Sequence, residues 1–374
     1  MATTWKVSPG WTNDTLETHH GILPVGDNST IGTDLDSWGK FQDLIHKHTT
    51  AGSAFSNTIT STYSLVYTAS NAYYGGVLAP NGDIHFVPNG ANRGQKIAAS
   101  GTVSTYNLIY TTTPSAYHGG VLAPNGDIHF VPSNAKVGQK IDINGTVSTY
   151  NLVYTVSEAY IGGVLAPDGS IHFGPFRADR GQKIATDGTV STYTLIYTNG
   201  NGAYSGGVLA PNGDIHFIPY SPSSVGQKIN INGTVSTYSI FTDEYENGCL
   251  DANGNIIFVS NFDYMKISIN DVISTYSLLY TGAFITSGGV LSPNGDIHFI
   301  PLNANRGQKI AFDGTVSTYS LLYTGTSLYY SGILTPDGDI HCIPFNANRG
   351  MIIHTGSAKN FDLGTCLSPY FNKF

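Results

Sequence analysis

A unit of about 43 residues repeats seven times along this chain, and that repeat limits what it can fold into. Each copy runs Gly-Gly-Val-Leu-Ala-Pro-Asn-Gly-Asp-Ile-His-Phe-(Val/Ile)-Pro, then a variable loop, then Gly-Gln-Lys-Ile, then Gly-Thr-Val-Ser-Thr-Tyr-x-Leu-x-Tyr-Thr. The second glycine falls at Gly76, Gly120, Gly163, Gly207, Gly248, Gly289 and Gly332. A fixed period of this length belongs to repeat architectures, in which each unit buries its apolar face against the next. Within one unit, residues 75–80 form a short apolar run ended by a Pro-Asn-Gly-Asp turn. Asp83–Val87 forms a second run stopped by Pro88. Gly94–Ile97 opens a third, and Thr102–Thr111 alternates strictly, with Tyr106, Leu108 and Tyr110 on one face. Four antiparallel strands at this period predict a propeller blade.

The expected fold is therefore all-β: a seven-bladed β-propeller of four-stranded blades over residues 57–374. The paired glycines suit the crowded innermost strand. The first Ser-Thr-Tyr segment (61–68) precedes the first inner strand, so it is expected to complete the last blade and close the ring. The tail at Asn360-Phe361-Asp362-Leu363 is a weaker competitor for that place. Residues 1–56 do not fit the repeat and hold all three tryptophans, Trp5, Trp11 and Trp38. They read as an N-terminal arm followed by one amphipathic helix, Asp34–His48. Its stripe of Leu35, Trp38, Phe41, Leu44 and Ile45 is expected to dock on the propeller or on a protein partner.

These units resemble the Gly-Gly-Val-Leu-Ala-Pro-Asn-Gly repeat β-propeller proteins of bacteria, protists and viruses, and their blade layout is similar to that of WD40 proteins. The resemblance implies the fold. Members of the first group generally lack an assigned activity, so it implies little about chemistry.

Composition removes several function classes. Lys+Arg 17 against Asp+Glu 25 gives a net charge of −8, without a basic run, which argues against nucleic-acid binding. No stretch approaches a membrane helix, so no membrane insertion is expected. No signal-peptide core opens the chain, so synthesis in the cytoplasm is expected, with a final place on a virion or assembly surface. Cys249, Cys342 and Cys366 have no metal spacing. Cys342 reads as a core residue, and no metal or cofactor is expected. His46-Lys47-His48 is one His-x-His copy and reads as a solvated helix end.

His85, His129, His172, His216, His298 and His341 occupy one position in six blades. Identical chemistry in every blade argues for scaffold, with each imidazole expected to bond a Ser or Thr of the Ser-Thr-Tyr strand. The aspartates of the Pro-Asn-Gly-Asp turns read as turn residues.

The loops before the inner strand and between strands two and three share one face of a propeller. The first set carries Tyr73, Tyr117, Tyr160, Tyr204, Phe284 and Tyr329. The second carries Arg93, Arg180, Arg306 and Arg349. Together they are expected to form a ligand-binding face for a glycan or host surface receptor. The competing reading is that each Arg packs on its own blade's Tyr. Blade five breaks the pattern over 240–270, losing the His, the Pro and the Gly-Gln and gaining Asp243, Glu244 and Glu246.

The leading expectation is a non-enzymatic recognition or structural protein, associated with a virion or assembly and attached by residues 1–56. The alternatives are a free-standing lectin-like propeller and a glycoside-active enzyme using Asp243, Glu244 or Glu246.

Overall fold

The structure, a computed structural model, describes residues 59–111, 114–220 and 223–356. Those residues form seven four-stranded antiparallel sheets and no helix. The expected arm, the helix with Leu35, Trp38, Phe41, Leu44 and Ile45, and the tail at 360–363 lie outside them.

Blade one shows the pattern. Its strands, from the axis outward, are Tyr73–Leu78, Ile84–Pro88, Arg93–Ile97 and Val103–Asn107. Blades two to seven have inner strands beginning at Tyr117, Tyr160, Tyr204, Asn247, Thr286 and Tyr329. The outer strand of blade seven comes from the other end of the described chain. Ile59–Ser64 pairs antiparallel with Arg349–His354, from Ile59↔His354 to Ser64↔Arg349. The ring thus closes between segments almost three hundred residues apart in sequence.

The paired glycines are where blades touch. Gly75 has a φ of +100°, and a Cβ there would stand 3.1 Å from the Gly119 Cα; Gly119 meets Gly162 in the same way. A register shift between Tyr73 and Gly76 marks a bulge on each such inner strand. It recurs in six blades and is missing in blade five, where Asn247↔Val259 and Gly248↔Phe258 pair in sequence.

Tyr73, Tyr117, Tyr160, Tyr204 and Tyr329 are fully buried against the Phe or Cys of strand two, with Tyr73 5.3 Å from Phe86. Their hydroxyls donate to the backbone carbonyl opening strand three, as from Tyr73 to Arg93 at 3.1 Å. The repeated histidines are buried too, except that His341 is half-buried. In five of the six, Nδ1 faces the tyrosine hydroxyl of the Ser-Thr-Tyr strand, as in Tyr150 for His129 at 3.2 Å and Tyr238 for His216 at 3.0 Å, while His341 meets Tyr63 only ring to ring. The expected Ser or Thr partner is therefore corrected to tyrosine, because the tyrosine ring lies back over the third strand. The glycine of Gly-Gln-Lys-Ile makes this possible, since a Cβ on Gly94 would collide with the Tyr106 ring. The turn aspartates gain a second use: Asp83, Asp127, Asp214 and Asp296 pair with the Lys of strand three at 2.6 to 2.9 Å.

Glutamine ties one blade to the next. Gln139 is fully buried, and its Oε1 accepts from the Ile109 and Tyr110 backbone N–H groups of the preceding blade, at 3.0 and 2.9 Å. Gln95, Gln182, Gln227 and Gln308 do the same at their junctions.

Gln139→Ala leaves two backbone donors unsatisfied in a buried place. It is expected to lower stability by about 2–4 kcal/mol, read as a shifted urea midpoint. Burial also pulls His85, His129, His172, His298 and His341 down to about 4 from 6.5. The unfolded chain then binds more protons between those values. The histidines' contribution to stability is complete above pH 6.5 and falls as pH drops toward 4. A pH titration followed by tyrosine fluorescence is expected to show cooperative acid unfolding in that window.

Candidate functional site

One column of the repeat varies while its neighbours stay constant. It lies two residues before the second glycine, and reads Tyr74, His118, Ile161, Ser205, Glu246, Ser287 and Tyr330. Its place at the start of the inner strand brings these residues to the axis. In the structure all seven line one narrow hollow at the axial mouth. The scaffold is nearly symmetric, but this ring is not.

The ring divides into two arcs. On one side, Tyr330, Tyr74 and His118 of three consecutive blades pack face to face. The Tyr74 and His118 rings stack at 4.2 Å with 11° between planes, and Tyr74 lies 4.0 Å from Tyr330. Phe345 meets Tyr330 edge-on at 4.9 Å. On the other side stand Ser205, Glu246 and Ser287. Each serine hydroxyl donates to the inner strand of the next blade: Ser205 to the Tyr245 carbonyl at 2.9 Å, and Ser287 to the Tyr329 carbonyl at 3.1 Å.

Glu246 is the one carboxylate of this ring. Loss of water around it, and then the neighbouring Glu244 charge, push it up to about 7; a hydrogen bond from Asn261 opposes them. Asn261 is itself fixed, since its Oδ1 accepts from the Phe284 N–H at 2.6 Å. The other Glu246 oxygen, Oε2, has no hydrogen-bond partner among the described residues. Burial pulls His118 down to about 4, so its ring is neutral at neutral pH. Burial and the Glu246 charge push Tyr330 up to about 12, so it keeps its proton. A proton-exchanging carboxyl, a neutral imidazole and a neutral phenol thus share one mouth, which is an acid–base constellation.

The expected loop face is corrected in part. Tyr73, Tyr117, Tyr160, Tyr204 and Tyr329 are core residues and cannot touch a ligand, because each packs on its own blade's second strand. Phe284 is on the surface at 44% exposure. Arg93, Arg180, Arg306 and Arg349 are exposed. They lie over Tyr67, Tyr154, Tyr280 and Tyr323 at 4.7 to 5.2 Å. Those tyrosines follow the outer strand of the preceding blade, so the clamp joins blades and is not made within one. Of the three carboxylates gained by blade five, Glu246 reaches the axis and Glu244 stays exposed; the Asp243 side chain lies outside the description. Sequence reading missed Tyr74, His118 and Tyr330. The signal was the one variable column inside an otherwise constant motif.

Among the described residues no group of His, Cys, Asp and Glu is arranged to hold a metal ion. No helix among them is long and apolar enough to cross a membrane.

No protein-family model matches the sequence, and no curated protein does. The fold itself is that of known seven-bladed propellers. A streptogramin B lyase structure superposes with a TM-score of 0.69 at 20% identity, covering 80% of this chain and 98% of that one. Virginiamycin B lyase from Staphylococcus aureus gives 0.67 at 17%, covering 79% and 99%. The extracellular domain of a hybrid two component system from B. thetaiotaomicron gives 0.62 at 12%, covering 82% and 44%. At these identities the likeness is one of fold. It overturns the expectation that the chain is not an enzyme, because the same propeller makes up nearly the whole of two lyases.

The raised carboxyl of Glu246 has a cost. Its folded value near 7 exceeds the 4.5 of a free Glu. The folded state therefore holds the extra proton, and stability is lost as pH rises from 4.5 through 7. At pH 8 the loss is roughly 3 kcal/mol. Glu246→Gln is expected to be more stable than the parent at pH 8 by that order and about equal at pH 4.5, measured by urea unfolding at both.

Proposed function

We propose that this protein is an acid–base enzyme of the propeller class that acts on a small ligand at the axial mouth. The observation that carries the reading is Glu246. It is the single carboxylate of the ring, it exchanges its proton near neutral pH, and it stands across from neutral phenols and an imidazole. The lyase names of two fold neighbours agree with the reading in class. An elimination needs a base to take a proton from carbon and an acid to protonate the departing atom. Glu246 is suited to the first task and the Tyr330 hydroxyl to the second.

The test is a panel of ester- and ether-linked small molecules, with formation of a new double bond followed by absorbance. The parent is expected to turn over a member of the panel, with a rate that rises through pH 7 as Glu246 ionises. Glu246→Gln is expected to lose about 10²–10⁴-fold in rate while keeping its fold. Full activity in that variant would remove Glu246 from the mechanism and the reading with it.

A further inference from the structure

Two polar atoms at the axial mouth have no hydrogen-bond partner among the described residues: Glu246 Oε2 and His118 Nδ1. Both residues line the same hollow, whose volume is about 20 Å³. One water-sized group needs roughly 10–15 Å³, so the hollow holds one such group and no more.

The lining is rich in acceptors. A carboxylate oxygen accepts hydrogen bonds. The neutral His118 ring carries one proton, and with that proton on Nε2 its Nδ1 accepts. The Ser205 and Ser287 hydroxyl hydrogens are already committed to the Tyr245 and Tyr329 carbonyls, so both oxygens turn only lone pairs to the site. No lysine or arginine lines the hollow. The chain as a whole carries −8, which favours the approach of a positive ligand.

A water molecule has two hydrogens to give. A primary ammonium group is about the same size, has three, and brings the charge that Glu246 lacks. We infer that the axial hollow is a binding site for the primary ammonium group of an amine ligand. The Glu246 carboxylate takes one of its three hydrogens, His118 Nδ1 takes the second, and the Ser205 and Ser287 oxygens share the third. The inference rests on the proposed function in taking the mouth as the working site, and it names the ligand class. With the ammonium bound, Glu246 is held ionised.

The probes are n-butylammonium, n-butanol and tetramethylammonium, titrated into the full chain by calorimetry at pH 6 and pH 8.5. Butylammonium is expected to bind, about tenfold more tightly at the higher pH, because a carboxyl near 7 must release its proton first. Butanol lacks the charge and tetramethylammonium lacks the N–H groups and the small size, so neither is expected to bind. Glu246→Gln is expected to abolish butylammonium binding, and Ser205→Ala to weaken it several-fold with the fold intact. Equal binding of butanol or tetramethylammonium, or an unchanged affinity in Glu246→Gln, overturns the inference. So does no binding of butylammonium up to about 100 mM, a result that assigns the hollow to water. These outcomes are separable from the proposed function, which falls only if Glu246→Gln keeps its catalytic rate.

Discussion

The buried glutamine between blades is the contact on which the rest of the ring depends. A blade has its own hydrogen-bonded ladder, but the chain must leave it and cross to the next one. That crossing leaves two partly buried backbone N–H groups outside the ladder. The glutamine Oε1 of the following blade accepts both. This fixes the angle between blades, and the angle fixes how closely the glycines meet at the axis. Two blades carry methionine in the glutamine position, Met265 and Met351. At the last junction Thr60, on the closing strand, accepts from the Leu322 N–H at 3.0 Å instead. Before blade five, the outer strand of blade four runs on to Asp243 and pairs it with Ser223. Each lost clamp therefore lies where the ladder itself is rearranged.

Blade five illustrates how tightly the repeated residues are coupled. Elsewhere a glycine in strand three makes room for a tyrosine ring, and that tyrosine meets the buried histidine. In blade five Tyr264 replaces the glycine. Tyr276 cannot lie over it, and it stacks outside at 5.1 Å with 45% exposure. The imidazole then has no partner, and Ile257 fills its place. Three changes that look scattered in the sequence are one change in packing. The same blade loses the inner-strand bulge and brings the carboxylate of Glu246 to the axis.

The fold was legible because its period, turns and strand alternation all point the same way. The ring of buried tyrosines was misread for a physical reason. Tyr73 and its equivalents sit at the mouth of a loop in the sequence, but each has a phenylalanine or cysteine of the second strand to pack on and a carbonyl to bond. The axial residues were missed for the opposite reason. Tyr74, His118 and Tyr330 belong to a column that changes from Tyr to His, Ile, Ser and Glu around the ring, so they look like filler between recurring positions. Only a ring geometry turns such a column into one site. Glu246 was singled out from the sequence as an acquired carboxylate, although its partners were not.

The closing strand has a consequence for how the molecule is made. Ser61 Oγ and His354 Nε2 lie 2.8 Å apart across 293 residues of chain. A ribosome delivers the first of these segments long before the last. Until blade seven emerges, Ile59–Ser64 has no strand to pair with, and six blades form an open arc with an unsealed rim. Contacts of such long separation form slowly. The ring is therefore most vulnerable to proteases and to pairing with another copy of itself in the interval between translation and closure.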